Sequence, residues 1–230
     1  MFWYGFDYYY LVLIVPAIII SLIAQMRVNS TFSKFSRVSN TRGLSGADVA
    51  RRILDANGLT NVVIEHVKGN LTDHYDPRAK VLRLSDSVFS SRSVAALGVA
   101  AHECGHAIQH AKGYSPLKIR NSVFPLVNIS SSLAVPIIIL GFIFNTPFLV
   151  DAGIILFSAV VFFQLVTLPV EFNASSRALA ILESGYFLEG SEIKSARKVL
   201  SAAALTYVAS ALVSLMQLLR LIILSNNRRR

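Results

Sequence analysis

The chain has 230 residues, 53% of them hydrophobic and only 15% charged, with a mean hydropathy of +0.55. An ordinary soluble domain carries about 25% charged residues, so the composition argues against a wholly soluble protein, and the single Cys rules out an intrachain disulfide framework. A formal charge of +9 fits nucleic acid or an anionic membrane surface, and the hydropathy selects the membrane.

In chain order, Tyr8 to Met26 is uncharged and long enough to cross a bilayer once. The preceding MFWYGFDYYY has no basic residue and four Tyr, which fits an uncleaved anchor with an interfacial aromatic belt rather than a signal peptide. Residues 1–26 are thus read as a membrane anchor. Segment 27–121 follows and holds 14 of the 22 basic residues, which places it in the cytoplasm by the positive-inside rule. Within it, SGADVARRILDAN predicts a short amphipathic helix capped by Ser45 and stopped by Gly58. VVIEHV and KVLRLS predict two strands with DHYDP as a turn between them. Ser90 or Ser91 can cap the next helix, through VAALGVAAHECGHAIQHA to Gly113.

The uncharged stretches about 122–144 and 148–169 are separated by Asn145-Thr146-Pro147 and predict a membrane hairpin. A hairpin returns the chain to the side it left, so 170–198 is expected beside 27–121 as a second catalytic segment. The Ala- and Ser-rich run in 199–224 has the composition of a closely packed membrane helix. If it crosses, Arg228, Arg229 and Arg230 of the basic tail 225–230 lie outside, against the positive-inside rule, and the sequence leaves that conflict open.

His102-Glu103-Cys104-Gly105-His106 lies on the predicted helix that runs to Gly113. His102 and His106, one turn apart, project from one face and suit two ligands of a tetrahedral Zn²⁺. Glu103, at the edge of that face, is placed to take a proton from a water activated by the metal. A catalytic zinc uses three protein ligands, and Glu171, just past the returning hairpin helix, is the candidate for the third. Cys104 is about 200° round the helix from His102 and reads as a buried small residue.

In that order LTDHYDPRAKVLRLSDSVF, AAHECGHAIQH, the apolar hairpin and PVEFNASSRALAIL resemble the YugP-type membrane zinc metallopeptidases over nearly the whole chain after the first span. More distantly, H-E-x-x-H, two spans and E-x-x-x-[DS] are similar to the HtpX and CAAX prenyl protease gluzincins. The resemblance implies a peptidase with His102, His106 and Glu171 on zinc and Glu103 as base. Family members carry Asp where this chain has Asn173, so the resemblance implies a carboxylate near the site replaced by an amide.

Around these residues, His110 and Asn173 are candidates for a shell supporting the ligands. His74, Tyr75, Arg177 and Tyr207 are candidate donors to an oxyanion or contacts to substrate. KVLRLS resembles the edge strand on which gluzincins pair an extended substrate. The sequence therefore predicts a mainly α membrane protein with about four apolar helices and a small α+β, gluzincin-like zinc-peptidase domain containing a short sheet. Its expected activity is zinc-dependent endopeptidase cleavage of membrane-associated or unfolded polypeptides. The expected place is a prokaryotic plasma membrane with the site facing the cytoplasm. Partners are polypeptide substrate and the lipid bilayer, with no nucleic acid; oligomeric state is not legible. Two rivals are a site-2-type intramembrane protease, with Asp151 as a ligand, and a non-catalytic zinc-binding membrane scaffold.

Overall fold

A computed structural model describes residues 7–228. The expected aromatic belt at Phe2, Trp3 and Tyr4 and the tail residues Arg229 and Arg230 lie outside them, as does the side chain of Arg228. The chain is 73% helical with a small three-stranded sheet. In order, a π-helical turn Tyr10–Ile14 leads into α1 Val15–Phe35, followed by α2 Gly46–Ala56, β1 Val63–Val67, β2 His74–Asp76, β3 Val81–Ser85, α3 Val94–Ala111, α4 Ser115–Ile143, α5 Pro147–Ser184 and α6 Ser191–Arg228.

The helices form two compact units. One comprises Met1–Ala24, Lys118–Pro169 and Thr206–Arg230; the other comprises Gln25–Leu117 and Val170–Leu205. The first holds most of the apolar length of α1, α4, α5 and α6, four helices long and apolar enough to cross a membrane. Its outward face is apolar, with Ile155 71% and Phe148 76% exposed, a surface that water disfavours and lipid satisfies. The hairpin turn falls where the Asn-Thr-Pro signal put it, with Asn145 in the left-handed region at φ 49°. Close approach holds the hairpin together: a Cβ added at Gly141 would meet Val150 N at 2.8 Å, and one at Gly153 would meet Ala134 O at 3.0 Å.

Two contacts set the direction of the last helix. Arg220 Nε donates to Asp7 Oδ2 at 3.0 Å, and Asn227 Nδ2 donates to Tyr9 Oη at 3.3 Å. The C-terminal end of α6 therefore lies beside the start of α1, so the two helices run antiparallel. A buried cation in a spanning helix needs a partner, and Asp7 supplies it.

In the second unit, Ser45 caps α2 as expected: its Oγ accepts from Asp48 N at 3.2 Å while Asp48 Oδ2 accepts from Ser45 N at 2.9 Å. This reciprocal pairing satisfies two otherwise orphaned donors. The apolar face of α2 (Val49, Ala50, Ile53, Leu54) is fully buried and packs on α3. The cap of α3 is Ser93, not Ser90 or Ser91; its Oγ accepts from Ala96 N at 3.1 Å, and Ser91 Oγ donates to Ser93 Oγ.

The sheet differs from expectation in two ways. DHYDP is not wholly a turn, because His74–Asp76 pairs antiparallel with β3, His74 opposite Arg83. The tight turn follows it, where Asp76 Oδ1 accepts from Arg78 N and Ala79 N. KVLRLS is not an edge strand: the order is β1-β3-β2, with β1 parallel to β3. Val81, Leu82, Leu84 and Ser85 are buried, and the backbone groups of β3 are occupied on both sides. The edge beside α3 belongs to β2.

Helix α5 continues past Pro169 to Ser184. Its burial explains why: Val170, Ala174, Ala178 and Leu182, spaced four apart, are all 0% exposed and form one continuous stripe. That extension carries Glu171 into the second unit.

Candidate metal centre

The site is built where α3 and α5 cross. Gly105 makes the crossing possible, since a Cβ there would stand 2.8 Å from Ala174 O and 3.2 Å from Ala174 Cα. With no side chain between the backbones, the His102–His106 face of α3 meets Glu171, three residues before Ala174 on α5.

His102 Nε2 and His106 Nε2 are 3.2 Å apart, and Glu171 Oε2 lies 3.3 Å from the first and 3.6 Å from the second. Four-coordinate zinc with bonds of about 2.0–2.1 Å separates its ligand atoms by about 3.3–3.4 Å. The three edges therefore match one face of such a tetrahedron, and two imidazoles with a carboxylate form a donor set that zinc accepts. The His-His-Glu group can bind a metal. Glu171 is 3% exposed, so its charge has little water to turn to. Burial acts to lower the His106 pKa, but the hydrogen bond that its ring donates to Glu171 and the charges of Glu103 and Glu171 outweigh it and raise the imidazole above its ordinary value.

Each imidazole is oriented through its other nitrogen. His106 Nδ1–H donates to Gln109 Oε1 at 3.0 Å, and His102 Nδ1 lies 3.1 Å from Ser175 Oγ, which would accept from it once Nε2 of that ring is given to a metal. Gln109 is fully buried, and its Nε2 donates to Val170 O at 2.8 Å and Asn173 Oδ1 at 3.0 Å. Arg177 Nε donates to the same Asn173 oxygen at 2.7 Å.

These contacts place the other candidates. Asn173 reaches His106 only through Gln109, and Arg177 is engaged by Asn173. His110 turns away from the ligands: its Nδ1 lies 3.0 Å from Tyr75 Oη, linking α3 to β2. His74 stands on β2 with Nδ1 2.9 Å from Thr72 O. Tyr207 belongs to the other unit, as does Asp151. Glu103, the residue after the first ligand, is buried at 9% exposure and makes no hydrogen bond through its carboxylate among the described residues. Cys104 is fully buried, and burial pushes its thiol pKa far up. Sequence reasoning missed Gln109 and Ser175. Gln109 follows His106 by three residues and Ser175 follows Glu171 by four, spacings that put each on its ligand's helix face.

The profile of a family described as "Putative neutral zinc metallopeptidase" matches residues 10–226. Among curated proteins, the chain is 51% identical over 220 residues to "Putative membrane protease YugP" of Bacillus subtilis (strain 168), covering 96% of this chain and 98% of that protein. No solved structure gives a significant match. A family match over nearly the full length, around a His-His-Glu group with zinc-like spacing, establishes that the chain belongs to the family described as "Putative neutral zinc metallopeptidase".

Proposed function

We propose that the chain is a zinc-dependent endopeptidase of the gluzincin type that hydrolyses membrane-associated or unfolded polypeptides at the cytoplasmic surface of a prokaryotic plasma membrane. The observation that carries this reading is the triangle of His102 Nε2, His106 Nε2 and Glu171 Oε2, with edges of 3.2, 3.3 and 3.6 Å, beside a buried Glu103. His102, His106 and Glu171 hold the metal. When bound, zinc supplies the Lewis acidity that activates water and polarises the scissile carbonyl.

Glu103 takes the proton of the attacking water and returns it to the leaving amine. Ser175 and Gln109 fix the tautomer and tilt of the two imidazoles. Strand β2, paired on one side by β3 and packed near α3, is the edge on which an extended substrate backbone can add as a further strand. On that strand Tyr75, held by His110, and His74 are the candidate donors to the carbonyl oxygen as it gains charge. Support for the sidedness comes from the 14 basic residues in 27–121, and for the prokaryotic membrane from the Bacillus relative.

The decisive experiment is Glu103→Gln in the purified full-length protein, assayed on an unfolded polypeptide in detergent and in liposomes. The variant keeps stoichiometric zinc and loses about 10²–10⁴-fold in turnover, because an amide cannot accept the proton. Wild-type turnover in that variant refutes the mechanism, and zinc binding without turnover in the wild type favours a scaffold. Sidedness is read from single cysteines at Ser39 and Ser191: an impermeant reagent applied to intact cells labels neither. Labelling of either from outside overturns the cytoplasmic assignment.

A further inference from the structure

A second feature of the same unit shares no residue with the metal centre. The C-terminal half of α1 and the N-terminal half of α6 line a half-open cavity of about 420 Å³ whose walls carry the exposed side chains of Arg27, Lys34, Arg197 and Lys198. The volume lies in the range of small-ligand pockets, about 300–1,000 Å³. The hydroxyls of Ser30, Thr31 and Ser201 add polar groups to the same walls.

Four cations share this space without a carboxylate. There is no Asp or Glu between residues 8 and 47, and none after Glu192, which is engaged by Thr41 N at 2.8 Å. Among the described residues none of the four cations forms an ion pair. The nearest relief is weak: the ammonium groups of Lys34 and Lys198 lie 5.6 and 6.0 Å from the centroid of the Phe35 ring. Clustered like charges repel one another, and a bound anion removes that cost.

The position of the cavity along the helices decides the kind of anion. Arg27 is the first charge after the uncharged run Tyr8–Met26, and Lys198 is the last before the uncharged run Val199–Leu219. The cations therefore stand where two apolar helices reach the headgroup layer. Ala202 and Leu205, one and two turns into the apolar run of α6, line the same cavity, and Met26 and Leu205 are exposed beside it. A soluble anion uses the charged walls only; a phospholipid uses the charged walls and the apolar ones. We propose that this cavity is a binding site for an anionic phospholipid, its phosphodiester held by Arg27, Lys34, Arg197 and Lys198 and its acyl chains lying along Leu205 and Met26.

The test uses the full-length protein in dodecylmaltoside micelles, with bound lipid counted by native mass spectrometry during titration with phosphatidylglycerol or phosphatidylcholine. Phosphatidylglycerol binds in preference to phosphatidylcholine. Each basic residue at an anionic surface contributes about a five-fold gain in affinity, so Arg27→Gln/Lys198→Gln weakens binding about 25-fold, and Lys34→Gln/Arg197→Gln does the same should the first pair misfold. The control Lys68→Gln/Arg78→Gln, with the same net charge but outside the cavity, binds as wild type. Equal loss in control and cavity variants means diffuse attraction by net charge and overturns the site. Competition by millimolar glycerol phosphate as effective as by lipid means a soluble-anion site. Cavity-dependent binding of polyglutamate without binding of phosphatidylglycerol means an acidic polypeptide partner; either result overturns the lipid assignment.

Discussion

Gln109→Leu is the perturbation that separates the supporting shell of the site from its ligands. Gln109 touches no metal, yet it accepts from His106 Nδ1–H and donates to Val170 O and Asn173 Oδ1. Leucine fills a similar volume and removes all three bonds. Loss of the acceptor frees the His106 ring, and loss of such a partner typically costs 10–100-fold in metal affinity. Asn173 Oδ1 keeps Arg177 Nε as a donor and Val170 O stays within helix α5, so the stability loss is that of the side-chain hydrogen bonds themselves, about 0.5–1.5 kcal/mol each. Zinc affinity, measured by competition with a chelator, and thermal unfolding of the zinc-free protein are the two readouts, and both fall. Gln109→Glu splits them. The new carboxylate still accepts from His106, so zinc affinity holds or rises, but it cannot donate to Val170 O, so the zinc-free protein is destabilised. Gln109→Leu with unchanged zinc affinity would refute the orienting role.

Three further variants test the frame. Gly105→Ala places a methyl group 2.8 Å from Ala174 O, so α3 and α5 must separate; overpacking of this kind costs about 1–3 kcal/mol, and zinc affinity falls with the melting temperature because Glu171 moves with α5. Unchanged values for both mean that the crossing is not tight. Glu171→Ala removes zinc and turnover together, whereas Asp151→Ala, five and a half turns earlier in α5 and in the other unit, changes neither; full zinc in the first and loss in the second, by metal analysis, favours the site-2-type reading.

Much of this was legible because the signals were local. The H-E-x-x-H spacing puts both imidazoles on one helix face whatever surrounds it, Ser45 caps through its own hydroxyl, and Gly58 and Asn145 act through their own backbones. The sheet was not legible in the same way. A three-residue strand inside DHYDP is outweighed by its turn-forming neighbours, and whether KVLRLS is central or at an edge depends on β1, whose parallel pairing with β3 is a non-local contact. The apolar stretch ends at about 169 but the helix does not: Pro169 lies inside α5, and the buried stripe from Val170 to Leu182 continues it. The lengths of α4, α5 and α6 beyond their apolar runs are set by packing of this kind, not by hydropathy.

Asn173 shows how far a resemblance carries and where the coordinates must take over. The family pattern implies a carboxylate at this position, and its absence suggests a missing support for the ligands. In the structure the position acts through one oxygen, which accepts from Gln109 Nε2 and from Arg177 Nε, and an amide oxygen fills that role as a carboxylate oxygen does. The number of hydrogen bonds is therefore preserved, and what the amide gives up is a negative charge beside Arg177. That charge would reach His106 only by way of Gln109, a neutral relay whose own orientation is already fixed by the Val170 carbonyl. Control of the metal face thus rests with Gln109: it holds the imidazole on α3 and, in the same side chain, the α5 backbone one residue before Glu171, so the two helices cannot shift without the ligands registering it.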